Sequence, residues 1–343
     1  MSDSIQTCGW KTILNFSIRI IIPVLFFLYV FHVINIDDVF IALKKIEWQW
    51  FFFGFVCIFL SNILCAVRTR KLMLSDAHSL VKLWSIHSLS AAIAGMLPFR
   101  TGEVSFAYFL RKYCVVTGSQ ALAILVSVRY LEYIFFLIFI FLLATIGIFI
   151  SPSKLYIAVF AVICLNLGFV LVITWKAGWV YEVLKGITET LLKFLIGKTK
   201  SASFLSRMEH FTQNIQSALA INISKRMLLV TILIMLLRQA FALFMLRGMG
   251  VVISLWLVIL LFAFLYAVKF IQGFGSFGSQ ESGIAAALIL VGYKQSESLL
   301  IAIGTHLLQW APVLLFGFIG YILIFKQPIS SGVQYDKSTL KSL

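Results

Sequence analysis

Nine apolar runs, at 12–34, 48–67, 83–97, 119–150, 155–175, 226–247, 253–272, 283–292 and 298–325, occupy most of this 343-residue chain. A bilayer core about 30 Å thick is crossed by about 20 apolar residues in a helix, and most of these runs approach or exceed that length. In hydrocarbon every backbone N–H and C=O must find its partner within the spanning structure, which for runs of this length means helices. With 61% hydrophobic and 12% charged residues, the chain reads as an all-α polytopic membrane protein and not as a soluble domain with a large core. Length alone suggests two domains, but stacked spans form one body. Residues 1–11 are polar, and 12–34 is long enough to span and lacks a small-residue cleavage site, so no cleavable signal is expected.

Two short interruptions break this pattern. The first reads Leu97-Pro98-Phe99-Arg100-Thr101-Gly102-Glu103, and the second Gly273-Phe274-Gly275-Ser276-Phe277-Gly278-Ser279-Gln280-Glu281. Broken backbone at membrane depth is tolerated where it is buried in protein or lines a polar cavity. An ionisable side chain there marks a functional candidate, and one such break in each half points to a transporter built from internal repeats. The alternative is that one or both are extramembrane loops, where Gly and Ser are common.

Charge placement bears on the path. The runs 83–97 and 283–292 are short for a crossing. Arg68, Arg70, Lys71 and Lys82 precede the first of them, and Arg100, Arg111 and Lys112 follow it. A full crossing there would put basic loops on both sides, against the positive-inside rule; a segment that enters and returns leaves both clusters in the cytoplasm. The basic stretch 176–226 then also lies inside. In the second half, 253–272 and 283–292 form a hairpin entering from the opposite face. The expected architecture is two inverted-topology repeats with about six full transmembrane helices and two re-entrant broken-helix hairpins; eight full spans are the alternative. The first membrane half covers 1–175, with its re-entrant segment near 83–117. An amphipathic cytoplasmic connector covers 176–225, and 226–326 is the second half, with its re-entrant segment near 253–292. Residues 327–343 are a polar tail, and both termini are expected in the cytoplasm.

The formal net charge of +15 resides on loops, where it serves orientation and contact with anionic headgroups. No basic soluble module is visible, so nucleic acid is not an expected partner. The cysteines lack metal-ligand spacing, and Cys57 and Cys65, on one apolar segment, suit packing. No nucleophile elbow, zinc-protease motif, phosphate-binding loop or two-metal carboxylate pair occurs. No catalytic residue, metal or cofactor is therefore assigned.

The candidate binding residues fall at the breaks and inside apolar runs. Pro98 stops the preceding helix, Gly102 permits backbone conformations closed to other residues, and a helix restarting near Glu103 presents free N–H groups to an anion. Arg100 beside it can grip a phosphate with two N–H groups, or pair with Glu103 as a structural salt bridge. Arg111 and Lys112 close the helix that follows, as interfacial anchors or phosphate ligands. Arg129 and Glu132 stand at i, i+3 inside the run 119–150, share a helix face and face the bundle interior, where they bound a cavity or lock helices. In the second half Gly275 and Gly278 loosen the backbone, and Gln280 and Glu281 bring polar groups to a new helix start, with Lys269 before the break. Arg238 interrupts the run 226–247. His306 and Gln309 stand at i, i+3 on the final span, where a hydrogen-bonded packing role is expected of the histidine.

At these motifs the chain resembles the flippase-like family of the lysylphosphatidylglycerol synthase transmembrane domain, an uncharacterised inner-membrane family. Pro98-Phe99-Arg100-Thr101-Gly102-Glu103 followed by Ala107-Tyr108-Phe109-Leu110-Arg111 is similar to its first motif, and Arg129-Tyr130-Leu131-Glu132 to a pattern that follows. Gly275-Ser276-Phe277-Gly278-Ser279-Gln280-Glu281 with Ala285-Ala286-Ala287 is similar to its second. Gln280 stands where an Arg is common and the usual Pro near the second break is missing, which bears on anion binding there. The resemblance implies translocation of amphipathic lipids (aminoacylated phospholipids, polyprenyl-phosphate-linked lipids or hopanoids) in a bacterial or archaeal cytoplasmic membrane. The soluble aminoacyl-transferase domain that accompanies some members is not in this sequence, so synthesis is not implied.

The expected function is thus that of a lipid flippase or transporter for an anionic or phosphate-bearing lipid. Arg100, Arg111, Arg129 and Arg238 would bind phosphate; Glu103, Glu132 and Glu281 would shape the cavity, pair with the arginines and carry a coupling proton. The alternatives are an intramembrane enzyme acting on a lipid-linked substrate, or a membrane partner subunit of a lipid-modifying enzyme. A homo-oligomer or such an enzyme is the protein partner considered.

Overall fold

The computed structural model describes residues 46–73, 79–97, 102–114, 116–150, 160, 161, 164, 168, 213, 214, 224–268 and 278–326. Eight helices are described: α1 (Trp48–Leu72), α2 (Leu80–Met96), α3 (Val104–Tyr113), α4 (Gly118–Ile150), α5 (Lys225–Gly248), α6 (Leu255–Val268), α7 (Ser279–Val291) and α8 (Gln295–Phe325). There is no strand among the described residues. The chain is an all-α polytopic membrane protein. The helices α1, α4, α5 and α8 are long and apolar enough to cross a bilayer. The apolar run 12–34 and most of 155–175, the connector 176–225 apart from a few residues, and the tail 327–343 lie outside the described residues.

The described residues divide into two compact units. One draws on Met1–Ile63, Trp84–Ser105 and Leu236–Ile324; the other on Leu64–Leu83, Phe106–Met235 and Phe325–Leu343. Both take residues from each half of the sequence.

Within the first unit α1 and α5 run antiparallel, joined by close backbone approach. The Glu47 N–H donates to Gly248 O at 2.9 Å, and Trp50 stacks on Phe244 with ring centres 5.7 Å apart. A Cβ on Gly248 would lie 2.7 Å from the Phe51 ring, and one on Gly54 would collide with the end of Met245. Small residues at such seams are what membrane helices use in place of a hydrophobic driving force. The same device joins α2 to α8: a Cβ on Gly317 would strike Ala92, and one on Gly320 would lie 2.8 Å from Ser85 O. In the second unit the ends of α1 and α5 meet again, at Arg68 and Thr231.

The two short pairs are helical hairpins. In the first, a Cβ on Gly102 would lie 2.5 Å from Ala94 Cα in the first unit, and in the second unit Lys82 Nζ donates to Tyr113 O at 3.1 Å. The start of α3 therefore returns along the end of α2, and Lys82 stands beside Arg111 and Lys112 at the open end. In the other hairpin α6 and α7 pack together and the Val252 N–H meets Tyr293 Oη at 3.3 Å. With 17, 10, 14 and 13 residues, none of these four helices reaches the length of a perpendicular crossing.

Local signals set the ends. Thr117 and Gln120 form a reciprocal cap on α4, with Gln120 N–H to Thr117 Oγ1 at 3.3 Å and Thr117 N–H to Gln120 Oε1 at 3.0 Å. Ser254 Oγ caps α6 through the Leu257 N–H, and Gly292 ends α7 in the left-handed region at φ 106°.

Candidate functional site

Among the described residues each unit contains one buried ionisable cluster. In the second unit the cluster is built on Glu132, near the middle of α4. Its Oε1 accepts from Arg68 Nη2 at 2.5 Å and its Oε2 from Arg129 Nη1 at 2.7 Å. The Arg129 contact is the i, i+3 pair expected from spacing, and it forms because residues three apart share a helix face. Arg68 comes from the last turns of α1 and is the residue that sequence reasoning missed. In the sequence it reads as one of a basic cluster with Arg70 and Lys71, yet its side chain is 1% exposed. Arg68 Nη1 also reaches Thr231 Oγ1 on α5 at 3.4 Å, and that hydroxyl donates to Met227 O at 2.9 Å. The overlooked signal is a stripe of small and polar positions on α1: Ser61, Cys65, Arg68 and Thr69, all buried. Arg68 falls on that stripe, whereas Arg70 and Lys71 belong to the last turn, where cations suit the helix dipole.

The geometry makes chemical sense only as a set. A lone carboxylate inside an apolar bundle is costly, and two guanidiniums with directed N–H groups offset that cost. Arg129 differs from Arg68 in being 41% exposed along its side chain, so the cluster reaches the protein surface through it. A planar guanidinium at such a place matches the oxygens of a phosphate.

The cluster of the first unit is built on Glu281, in the first turn of α7 and fully buried. Gly278 precedes the helix with φ 84°, a conformation that suits glycine, while residues 273–277 of the expected break lie outside the described residues. The Gly278 N–H donates to Glu281 Oε2 at 2.8 Å. Glu281 Oε1 lies 2.5 Å from Nδ1 of His306, whose Nε2 accepts from Trp310 Nε1 at 2.9 Å. Beside them the Gln280 Nε2 amide donates to Gln309 Oε1 at 2.7 Å. The second break therefore presents a carboxylate and an amide, without an arginine at position 280. His306 is hydrogen-bonded, as expected, but to a carboxylate and an indole at once.

The other expected residues are placed as follows. Gly102 is buried in the first unit and Glu103 is half-buried, leading into α3 through a short 3₁₀ turn. Gly102 is needed for a different reason from the one expected: it is not among the glycines of positive φ, and the missing Cβ is what lets it sit against Ala94. Arg111 is exposed at the end of α3 and lies along Gly118, while Lys112 Nζ stands 5.7 Å and 5.4 Å from the Tyr108 and Tyr113 ring centres. Arg238 is half-buried on α5 in the first unit. Arg100 and Gly275, with Pro98 and Lys269, lie outside the described residues.

Outside the spans, the Cys114 thiol, buried behind the end of α3, is pushed up to about 11 by desolvation, with Lys82 opposing. It is an inert packing group and not a nucleophile.

A buried arginine–carboxylate cluster, long apolar helices and two short helical hairpins are now joined by one comparison. The profile of the lysylphosphatidylglycerol synthase TM region matches residues 16–317. Comparison with curated proteins and with solved structures yields no match. The matched span covers most of the chain and includes every described element up to α8, so this integral membrane protein belongs to the family of the lysylphosphatidylglycerol synthase transmembrane region, a family tied to lipid handling.

Proposed function

We propose that this protein moves an anionic, phosphate-bearing lipid between leaflets. The observation that carries this reading is the Arg68–Glu132–Arg129 cluster: two arginines and a carboxylate held within apolar helices of a chain from a lipid-handling family. Charge inside a membrane protein is costly and marks substrate or ion pathways. Of the two arginines, Arg129 is the ligand that meets the headgroup phosphate, and Arg68 holds Glu132 so that Arg129 keeps its orientation. Arg100, Arg111 and Arg238 are proposed as further phosphate ligands, and Glu103 and Glu281 as further carboxylates of the same function. Acyl chains stay in the bilayer throughout.

The two short antiparallel hairpins, one in each half, support re-entrant segments related by inverted topology. Basic residues gather at the open end of the first hairpin and at the adjoining ends of α1 and α5, which supports a cytoplasmic placement for those ends and for both termini. The membrane is the cytoplasmic one.

Leaflet exchange of a fluorescent anionic phospholipid in proteoliposomes tests the reading. Wild type is expected to exchange the lipid, and Arg129→Gln to lose most of that exchange while keeping its fold, since the altered side chain is partly exposed. Equal exchange by Arg129→Gln would remove the assignment.

A further inference from the structure

We propose that Glu281, His306 and Trp310 form a proton-carrying relay in which uptake of one proton breaks the Trp310–His306 hydrogen bond and releases the indole from the end of α2 beside the first break. The relay stands on its own geometry; what the proton drives rests on the transport reading above.

The proton count comes from the donors. An indole N–H can only donate, so the Trp310 contact at 2.9 Å makes His306 Nε2 an acceptor. The imidazole proton is then on Nδ1, 2.5 Å from Glu281 Oε1. Glu281 Oε2 is engaged by the Gly278 N–H at the N-terminus of α7, where the helix dipole favours an anion. The resting state is a carboxylate facing a neutral, Nδ1-protonated histidine, and the pair holds one proton.

A second proton, taken from water, enters at the Glu281 Oε1–His306 Nδ1 contact, because Oε2 is already engaged by the Gly278 N–H, and it can rest on either partner. On the imidazole it gives a histidinium with N–H at Nε2. On Glu281 Oε1 it makes a carboxyl group that donates to Nδ1, and the ring's own proton then belongs on Nε2. Either way Nε2–H faces the indole N–H, two donors meet, and the contact is lost. Returning the proton to water restores it.

Trp310 carries this change to another element. Its ring lies against Gly95 in the last turn of α2, where a Cβ would be 3.4 Å away, and the neighbouring Ala94 is the seat of Gly102. All these residues belong to one unit. Glu281 faces His306 from α7, the adjacent Gln280–Gln309 pair is neutral, and a glycine of α2 lies against the indole.

The test uses full-length protein in lipid nanodiscs with ¹⁵N-labelled histidine and tryptophan. The chain has 5 His and 8 Trp, few enough to assign with His306→Gln and Trp310→Phe. In wild type His306 is expected as a single Nδ1–H tautomer at neutral pH. On acidification it takes up a proton in one step, and the Trp310 indole N–H signal moves in the same step. In Trp310→Phe the ring exchanges between tautomers. A His306 that stays neutral between about pH 4 and pH 9, or protonates with no response from the indole, overturns the relay. In proteoliposomes an imposed pH gradient is expected to change the rate of anionic-lipid exchange by wild type and not by His306→Gln; exchange by wild type indifferent to the gradient also overturns it. If the spectra change together but no lipid moves, the relay holds and the transport reading fails.

Discussion

Arg68 shows how much one side chain carries in this molecule. It connects three helices, giving Nη2 to Glu132 on α4 and Nη1 to Thr231 on α5. Arg68→Ala removes one cation and leaves Glu132 short of a partner in a buried setting, which costs about 3–5 kcal/mol. Arg68→Lys retains the charge but not the planar fork, so it cannot serve both acceptors from one position. Unfolding in mixed micelles should rank wild type above Lys and Lys above Ala. Arg129→Gln, on a partly exposed side chain, should lie much closer to wild type. The pair Arg129 and Glu132 was legible in the sequence because helical spacing alone brings them together. Arg68 was not, because its partner is 64 residues away and its neighbours Arg70 and Lys71 are ordinary end-of-helix cations.

At the scale of elements, close glycine contacts decide how the short helices pair. A Cβ at Gly102 would meet backbone, Ala94 Cα at 2.5 Å and Ile93 O at 2.6 Å, and backbone cannot rotate away. Gly102→Ala should therefore part α3 from α2 at a cost of about 1–3 kcal/mol. Gly95→Ala is the contrast: its Cβ would make ordinary contact with the Trp310 ring at 3.4 Å. Thermal melts in one detergent should show a lowered midpoint for Gly102→Ala and little change for Gly95→Ala. The starts of α3 and α7 could be read from a Gly and a following Glu. Which property of each glycine is used could not, since Gly278 needs its positive φ and Gly102 needs its missing Cβ.

For the whole molecule the antiparallel pairing of α1 and α5 makes a prediction about sidedness. Arg68 meets Thr231, so the basic residues Lys71 and Arg226 share one end, while Glu47 meets Gly248 at the other. In a background without the five native cysteines, Lys71→Cys and Arg226→Cys should react with an impermeant maleimide from the cytoplasmic side of sealed vesicles. Glu47→Cys should react from the opposite side. Labelling of Lys71→Cys and Arg226→Cys from different sides would break both the pairing and the proposed orientation. The helical, membrane-spanning class of this protein followed from the sequence alone, because apolar length and backbone hydrogen bonding in lipid are local properties of a segment. The Arg129–Glu132 pair followed for the same reason. Only the tertiary structure decided that Arg68 belongs to that pair and that Glu281 faces His306 and Trp310. Those contacts join residues on different helices, and no spacing along the chain encodes which apolar face meets which.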